Sequence, residues 1–383
     1  MLVSLLLVLI TLGGVPPAKA MDPATEAVLF ASLSDPGRRY FFRIPALVAL
    51  NDAQVLVAFA EQRVGNNDDW GDINVVYRVS TDDGATWTPI RRVCELGRDT
   101  CGNPTAVVDQ VTGVLHLFMM SGPRGVCQLE RQVGVNGCTR VYGVGERRVL
   151  YTSARFDAGH LVFDPELRDM TETLQEPWRR FDLIGPGAGI QLTHPEAGYA
   201  GRLLVPALGR TFLSDDHGET WRLSRGRLSP VSSEPTLAEL DDGRVLRNDR
   251  VRRSMRERFP SRLLSVSATG GEHFPAFTYT SLPVPDPAVQ ASMLRFGQGQ
   301  IFFANCASST HRRDLTIRQT ADGQDWSDGR RIDAGCGYSS LAKSADDHVA
   351  ILYERPGPEH STHREKPLEL VFRKFEPGYL LGP

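Results

Sequence analysis

Arg43 stands in the run Phe42-Arg43-Ile44-Pro45-Ala46, at the start of an apolar, strand-like stretch. A guanidinium among Phe, Ile and Pro is unusual in a buried-looking strand. Two roles are open to it: a structural ion pair, or a grip on an anion. Two more arginines stand at comparable positions later in the chain. Arg250 closes Leu246-Arg247-Asn248-Asp249-Arg250, and Arg312 shortly precedes Asp314-Leu315-Thr316-Ile317. Three guanidinia in one cleft repel each other unless an anion sits between them, and their planar forks match a carboxylate. The register around them stays open: Arg247, Arg252 and Arg253 flank Arg250, and Arg313 and Arg318 follow Arg312, with the Leu315 register favouring Arg312.

For these residues to meet, the fold must carry equivalent positions to a common axis. A repeated pattern supplies that. Ser80-Thr81-Asp82-Asp83-Gly84-Ala85-Thr86-Trp87 matches Ser214-Asp215-Asp216-His217-Gly218-Glu219-Thr220-Trp221 as Ser-x-Asp-x-Gly-x-Thr-Trp. Looser copies run from Ser267 to Phe274 and from Gln319 to Trp326, the last with Ala321 at the aspartate position. The last two intervals between copies are about 50 residues, the size of a four-stranded propeller blade. The first, of roughly 130, fits two units plus an insertion. The insertion is placed at 123–148, and a lost copy at 152–159. Each copy reads as a hairpin turn: aspartate accepts backbone hydrogen bonds, glycine takes positive φ and tryptophan packs between units. Short β-type runs at 54–59, 73–77, 114–118, 202–205, 300–303 and 348–353 separate the copies, and 165–175 is the best candidate for a helical turn. The expected class is all-β.

The chain has 383 residues, 41% hydrophobic and 23% charged, with a formal net charge of −3. That length fits one large domain or two ordinary ones. The charge balance gives no reason to expect nucleic acid or another polyelectrolyte as partner. Residues 2–12 form an apolar run too short to span a bilayer. Gly13, Gly14, Pro16, Pro17 and Ala18-Lys19-Ala20 follow, the pattern of a signal peptide cleaved after residue 20. On that reading 21–383 is a single domain in a secreted, periplasmic or lumenal protein. The alternative is translation from Met21 and a cytoplasmic protein. No other segment reads as transmembrane. Six cysteines, Cys94, Cys101, Cys127, Cys138, Cys306 and Cys336, suit an oxidising compartment. Cys94 with Cys101 and Cys127 with Cys138 could each close a short loop, while spacing leaves the connectivity open. No C-x-x-C or H-E-x-x-H metal pattern occurs.

Together these features resemble the sialidase (neuraminidase) family of glycoside hydrolases, the cellular and bacterial type rather than the viral one. The resemblance rests on the Phe-Arg-Ile-Pro motif with the aspartate boxes, and on further segments in family order. They are Ala60-Glu61-Gln62-Arg63, Asn103-Pro104-Thr105, Gly185-Pro186-Gly187-Ala188-Gly189-Ile190-Gln191, Ser233-Glu234-Pro235-Thr236, Gly337-Tyr338-Ser339-Ser340-Leu341 and Leu352-Tyr353-Glu354. It implies a six-bladed β-propeller of four-stranded antiparallel blades. It implies retaining exo-α-sialidase activity on terminal sialic acid of glycoproteins, glycolipids or oligosaccharides, with no metal and no organic cofactor. Residue by residue, Arg43, Arg250 and Arg312 match the triad that grips the sialic acid carboxylate. Tyr338 matches the nucleophile and Glu234 the carboxylate that activates it. Asp68 matches the general acid/base, with Asp69 of the same polar loop as the alternative. Glu354 matches the residue that orients Arg43, and Arg63 and Asn103 line the sugar pocket near its 4-hydroxyl. Glu234 is preferred to Glu239, which reads as an outward strand residue.

The residue types suit that chemistry. The anomeric carbon of sialic acid bears its own carboxylate, so an anionic nucleophile would meet a like charge. A phenol is neutral until it attacks, and sialidases with a tyrosine nucleophile are the known exception to the two-carboxylate scheme of glycosidases. With a pKa of ~10 the phenol needs a proton acceptor and nearby cations. An aspartate that protonates the leaving group and then deprotonates water completes the set. A reading from another class is a non-catalytic sialic acid lectin, which would keep the arginines and lose the chemistry; Tyr338, Glu234 and Asp68 together argue against it. The chain departs from the family pattern at Cys306, at Asp249, which could partly neutralise Arg250, and in the 123–148 insertion.

Overall fold

The computed structural model describes residues 26–35, 38–50, 54–226, 228, 232–275, 280–281, 284–356 and 368–381. The signal-peptide segment and the Met21 start lie outside them. Among the described residues, helix is confined to Thr171–Leu174, inside the stretch read as a helical turn, to Pro377–Leu380, and to three short 3-10 turns. The rest is strand and loop, as β-branched and aromatic runs cut by Gly, Pro and Asp dictate. Val55–Val64, Asp72–Ser80, Val114–Gly122, Leu203–Ala207, Gln300–Cys306 and Val349–Pro356 occupy the runs singled out from sequence.

Hydrogen bonds sort the strands into four four-stranded antiparallel sheets, one sheet of eleven strands and a two-stranded parallel ladder. This differs from the expected set of separate blades. The cause is local: a single parallel bridge, Ile73 to Thr100, fuses the antiparallel run that begins at Arg38–Leu50 with the one that begins at Thr100–Asp109. Strands of successive sheets touch in a closed cycle. Arg38–Leu50 lies against Thr100–Asp109, which meets Leu203–Ala207, then Ser232–Glu239, Ser292–Gly297, Ser339–Lys343 and Arg38–Leu50 again. Side chains tie the cycle: Leu47 N–H donates to Ser340 Oγ at 2.9 Å, and Met293 N–H to Thr236 Oγ1 at 3.0 Å. This radial arrangement is a β-propeller. The first strand, Ala27–Ala31, pairs antiparallel with Leu368–Phe375, so the two ends of the described chain share one sheet.

The repeated boxes are hairpin turns. Ser80 Oγ accepts the Gly84 N–H at 2.8 Å, and Asp82 accepts Thr86 N–H and Oγ1–H at 2.8 and 2.6 Å. Ser214, Asp216, Gly218 and Thr220 repeat the arrangement. Trp87 reaches the neighbouring sheet, edge-on to Phe372 at 5.1 Å, and Trp221 stands edge-on to Phe118 at 4.8 Å. Gly84 has φ +89°, and a Cβ there would lie 2.5 Å from the Phe372 ring. In the fourth copy the turn is one residue tighter than the sequence alignment gives. Thr320 supplies the hydroxyl for Gly323 N–H at 2.9 Å and Asp322 the carboxylate, so Ala321 marks no lost aspartate. At 152–159 there is no box: Ala158 and Gly159, both at positive φ, make a tight turn between Arg148–Asp157 and His160–Phe163.

Three disulfides join Cys94 to Cys101, Cys127 to Cys138 and Cys306 to Cys336. The second closes the insertion, where Val126–Cys127 pairs in parallel with Arg140–Val141. Among the described residues no helix is long and apolar enough to cross a membrane.

Candidate active site

A cleft of about 890 Å³ opens at one end of the ring, lined by Arg43, Arg63, Asp69, Asn103, Glu234, Arg250, Arg312 and Tyr338 together with insertion residues. Several of these side chains sit where a strand breaks its ladder. The register shifts after Arg43, after Gly102 and between Ser232 and Pro235, and such bulges re-aim side chains at the rim of a sheet. Ile44 pays for this with φ +59°, a strained conformation for a β-branched residue.

Glu354 organises the floor. Its fully buried carboxylate accepts Arg43 Nε and Nη2 at 3.1 and 3.3 Å. It also accepts the backbone N–H of Ile44 and of Tyr338, each at 3.0 Å. One side chain thus fixes the first arginine, the strained residue beside it and the tyrosine. Burial opposes its ionisation, but Arg43, Arg312 and the two N–H donors prevail and hold it down to about 2. Gly337 is required here, because a Cβ would sit 2.5 Å from Glu354 Oε2.

Tyr338 Oη donates to Glu234 Oε1 at 2.5 Å, and Arg250 Nη1 reaches both Glu234 Oε2 at 2.5 Å and Tyr338 Oη at 3.0 Å. The guanidinium carbons of Arg43 and Arg312 lie 5.2 and 5.3 Å from the Tyr338 ring centroid. The three arginines therefore surround one phenol. Burial, with Glu234 adding, pushes the phenol well above its ordinary range, and Arg250, Arg312 and Arg43 pull the other way. Arg43 and Arg250 are held protonated more firmly than usual: burial opposes this, but Glu354 with Asp69, and Glu234, outweigh it. Arg312 differs. Burial and the repulsion of Arg43 and Arg250 lower its pKa, and no ion pair forms on it among the described residues. The cleft holds a positive charge left for an incoming anion.

Asp68 is not where the sequence reading put it. Its Oδ1 accepts from Asn136 Nδ2 at 3.0 Å, in the insertion, and it does not line the cleft. Asp69, the alternative, does. Its carboxylate lies 2.9 Å from Arg63 Nη2 and 3.9 Å from Arg43 Nη1. The guanidinia of Arg63 and Arg43 beside it hold its pKa below the ordinary range. The two neighbours are held from different sides: Asp68 by Asn136 of the insertion and Asp69 by Arg63, while the Trp70 ring packs on the insertion disulfide. Arg63 is fixed by Glu61, which accepts its Nε and Nη2 at 2.9 and 2.6 Å and also accepts Asn103 N–H at 2.7 Å.

Among the competitors, Arg247 is a fully buried structural residue paired with Asp249 at 2.8 Å, so Asp249 serves Arg247 rather than Arg250. Arg313 is exposed beside Asp314. Glu239 is not outward: it is buried, accepts Thr193, His194 and Arg295, and faces a pocket away from this cleft. Sequence reasoning missed Glu61, although a carboxylate two residues before Arg63 on one strand shares its face. It also missed Arg147, which donates to Asn103 Oδ1 at 3.1 Å and lies 5.6 Å from the rings of Tyr142 and Phe181. Among the described residues no cluster of His, Cys, Asp or Glu is arranged to hold a metal ion.

Fold and cleft define a β-propeller whose cleft is lined by arginines around a tyrosine. The BNR repeat-like domain matches residues 54–351. An exo-alpha-sialidase of Aspergillus fumigatus is 32% identical over an alignment of 403 positions, gaps included, covering 96% of this chain and 94% of the relative. An exo-alpha-sialidase of Arthroderma benhamiae is likewise 32% identical, covering 96% and 93%. Among solved structures, Trypanosoma rangeli sialidase in complex with the inhibitor DANA superposes with a TM-score of 0.68 at 21% identity, covering 89% of this chain and 56% of that one. The chain spans little more than half of that structure. The chain belongs to the sialidase family, and it is a glycoside hydrolase.

Proposed function

We propose that the protein is a retaining exo-α-sialidase that removes terminal α-linked sialic acid from glycoproteins, glycolipids or oligosaccharides. The observation that carries this is the Tyr338–Glu234–Arg250 contact, with Arg43 and Arg312 on either side of the same ring. The three arginines take the substrate carboxylate, and Arg312, free of a carboxylate partner, gains most from its arrival. Tyr338 Oη attacks the anomeric carbon while its proton passes to Glu234. Asp69, in place of Asp68, protonates the departing glycosidic oxygen. To do so its pKa must rise, which follows when the aglycone covers it and the substrate carboxylate occupies Arg43. Asp69 then deprotonates a water that attacks the anomeric carbon, the Tyr338 oxygen leaves, and Glu234 returns its proton. Two displacements give retention. Arg63 and Asn103, held together by Glu61, form the wall near the sugar's 4-hydroxyl.

The eleven-stranded sheet is best read as two blades joined by the Ile73–Thr100 bridge; with the four separate sheets this supports six blades. Three disulfides favour an oxidising compartment, hence secretion after removal of residues 1–20.

The test is hydrolysis of an α-sialoside with the first-formed anomer identified by proton NMR. Tyr338→Phe is expected to lower kcat by about a thousandfold or more and to leave binding of free sialic acid within a few fold. Binding without turnover in the unaltered protein would establish the lectin reading instead. A first-formed β-anomer would exclude the tyrosine nucleophile.

A further inference from the structure

Asp69 is held by its own contacts from the cleft side alone. Its side chain is 70% exposed, and among the described residues its carboxylate meets only the guanidinia of Arg63 and Arg43. Those contacts draw it inward and favour its charged form, the opposite of what proton donation needs. Its two neighbours, however, are both fixed, and by the same residue of the insertion. Asn136 donates Nδ2–H to Asp68 Oδ1 at 3.0 Å, and its carbonyl accepts Trp70 Nε1–H at 3.2 Å. Trp70 is fastened further: its carbonyl accepts Gly125 N–H at 2.9 Å, and its ring packs on Cys127 and Cys138, the disulfide that closes the insertion. Beyond it, the Gly71 carbonyl accepts Thr100 Oγ1–H at 2.8 Å.

We propose that Asn136 is a positioning residue for the general acid: by clasping the residues before and after Asp69, it sets where that carboxyl stands over the cleft. The two adjacent aspartates then have separate duties, Asp69 for proton transfer and Asp68 as the handle by which the insertion holds the loop. Asn136 suits the place. Its φ of +45° is one that asparagine tolerates, and its amide supplies the donor that Asp68 requires while its carbonyl takes Trp70. The insertion, which also lines the cleft through residues 126–132, thereby gains a role in the chemistry. This inference rests on reading Asp69 as the general acid.

A misplaced general acid has a distinctive signature. It slows departure of a poor leaving group and spares one that leaves unaided. The experiment compares kcat/KM for an aryl α-sialoside, whose phenolate leaves readily, with that for a sialyl-galactoside, whose alcohol needs a proton. Three variants are used: Asp69→Ala, Asn136→Gly and Trp70→Phe. Glycine keeps the backbone carbonyl and the positive φ while removing the amide, and Asn136 is exposed, so folding is preserved. Asn136→Gly is expected to cost roughly 10- to 100-fold on the sialyl-galactoside and less than about 3-fold on the aryl substrate. Trp70→Phe, which keeps a ring and loses the indole N–H, is expected to shift the same ratio in the same direction. Asp69→Ala is expected to show the largest selective loss. If Asp69→Ala is selective while Asn136→Gly leaves the ratio unchanged, whether by equal losses or by none, the positioning role is refuted and the acid assignment stands. If Asp69→Ala itself spares or harms both substrates alike, the acid assignment fails and the inference falls with it.

Discussion

Glu354→Gln offers the sharpest energetic test of the cleft. The carboxylate is fully buried and accepts four hydrogen bonds, two of them from Arg43. It is held down to about 2, from an ordinary 4.5. A carboxylate depressed on folding stabilises the native state above its unfolded pKa, and that stability is lost as pH falls through the folded value. Here the contribution is complete above about pH 5 and fades toward about pH 2. The depression corresponds to about 3 kcal/mol near neutrality and to roughly 1.4 kcal/mol near pH 3. Breaking a buried ion pair from one side costs about 3–5 kcal/mol, in agreement. Glutamine keeps the shape, loses the charge and turns an amide N–H₂ toward donors. Urea unfolding of both proteins with disulfides intact is the assay. The variant is expected to be about 3–5 kcal/mol less stable near neutral pH, with the gap narrowing by about 2 kcal/mol near pH 3. A gap that does not change with pH, or one below about 1 kcal/mol at neutrality, would show that Glu354 is not the charged keystone its contacts imply.

Two further outcomes follow from packing and cross-linking. Gly84→Ala places a Cβ against Phe372 at positive φ, and should lower stability by about 1–3 kcal/mol, measured as a fall in Tm with kcat/KM little changed because the turn is remote from the cleft. Replacing Cys306 and Cys336 together by serine removes a cross-link spanning 30 residues, at a cost of roughly 3–4 kcal/mol. The cross-link encloses Arg312 and ends two residues before Tyr338, so calorimetry should show a lower Tm and steady-state kinetics a higher KM.

The repeated turns were legible because a hairpin of this kind needs a hydroxyl, a carboxylate and a glycine at set offsets, and those residue types are visible without coordinates. The arginines were legible because charge in an apolar strand demands an explanation. That Asp69 rather than Asp68 lines the cleft was not: adjacent positions differ only in orientation, and Asp68 is taken by Asn136, distant in sequence. Glu239 was misread for the same reason. A carboxylate in an alternating strand looks solvated until Thr193, His194 and Arg295 are known to converge on it. The fused sheet turns on one bridge between Ile73 and Thr100, a contact that leaves no mark in composition or periodicity.

The pairing of Ala27–Ala31 with Leu368–Phe375 bears on how the protein is made. During synthesis the opening segment emerges long before its mate, and Ser32 waits for the Leu368 carbonyl across 336 positions of chain. Joining such distant points in a free chain costs about 5 kcal/mol of configurational entropy, so the clasp should form last, once the intervening sheets have brought the ends side by side. Until then an apolar edge that includes Phe30 and the partners of Phe372 stands uncovered, a hazard for a nascent polypeptide. A ribosome-bound chain stalled before residue 368 is therefore expected to be cut readily within the first strand by added protease, and one released after residue 381 to resist. Equal resistance in both would mean that the ring holds without its fastening.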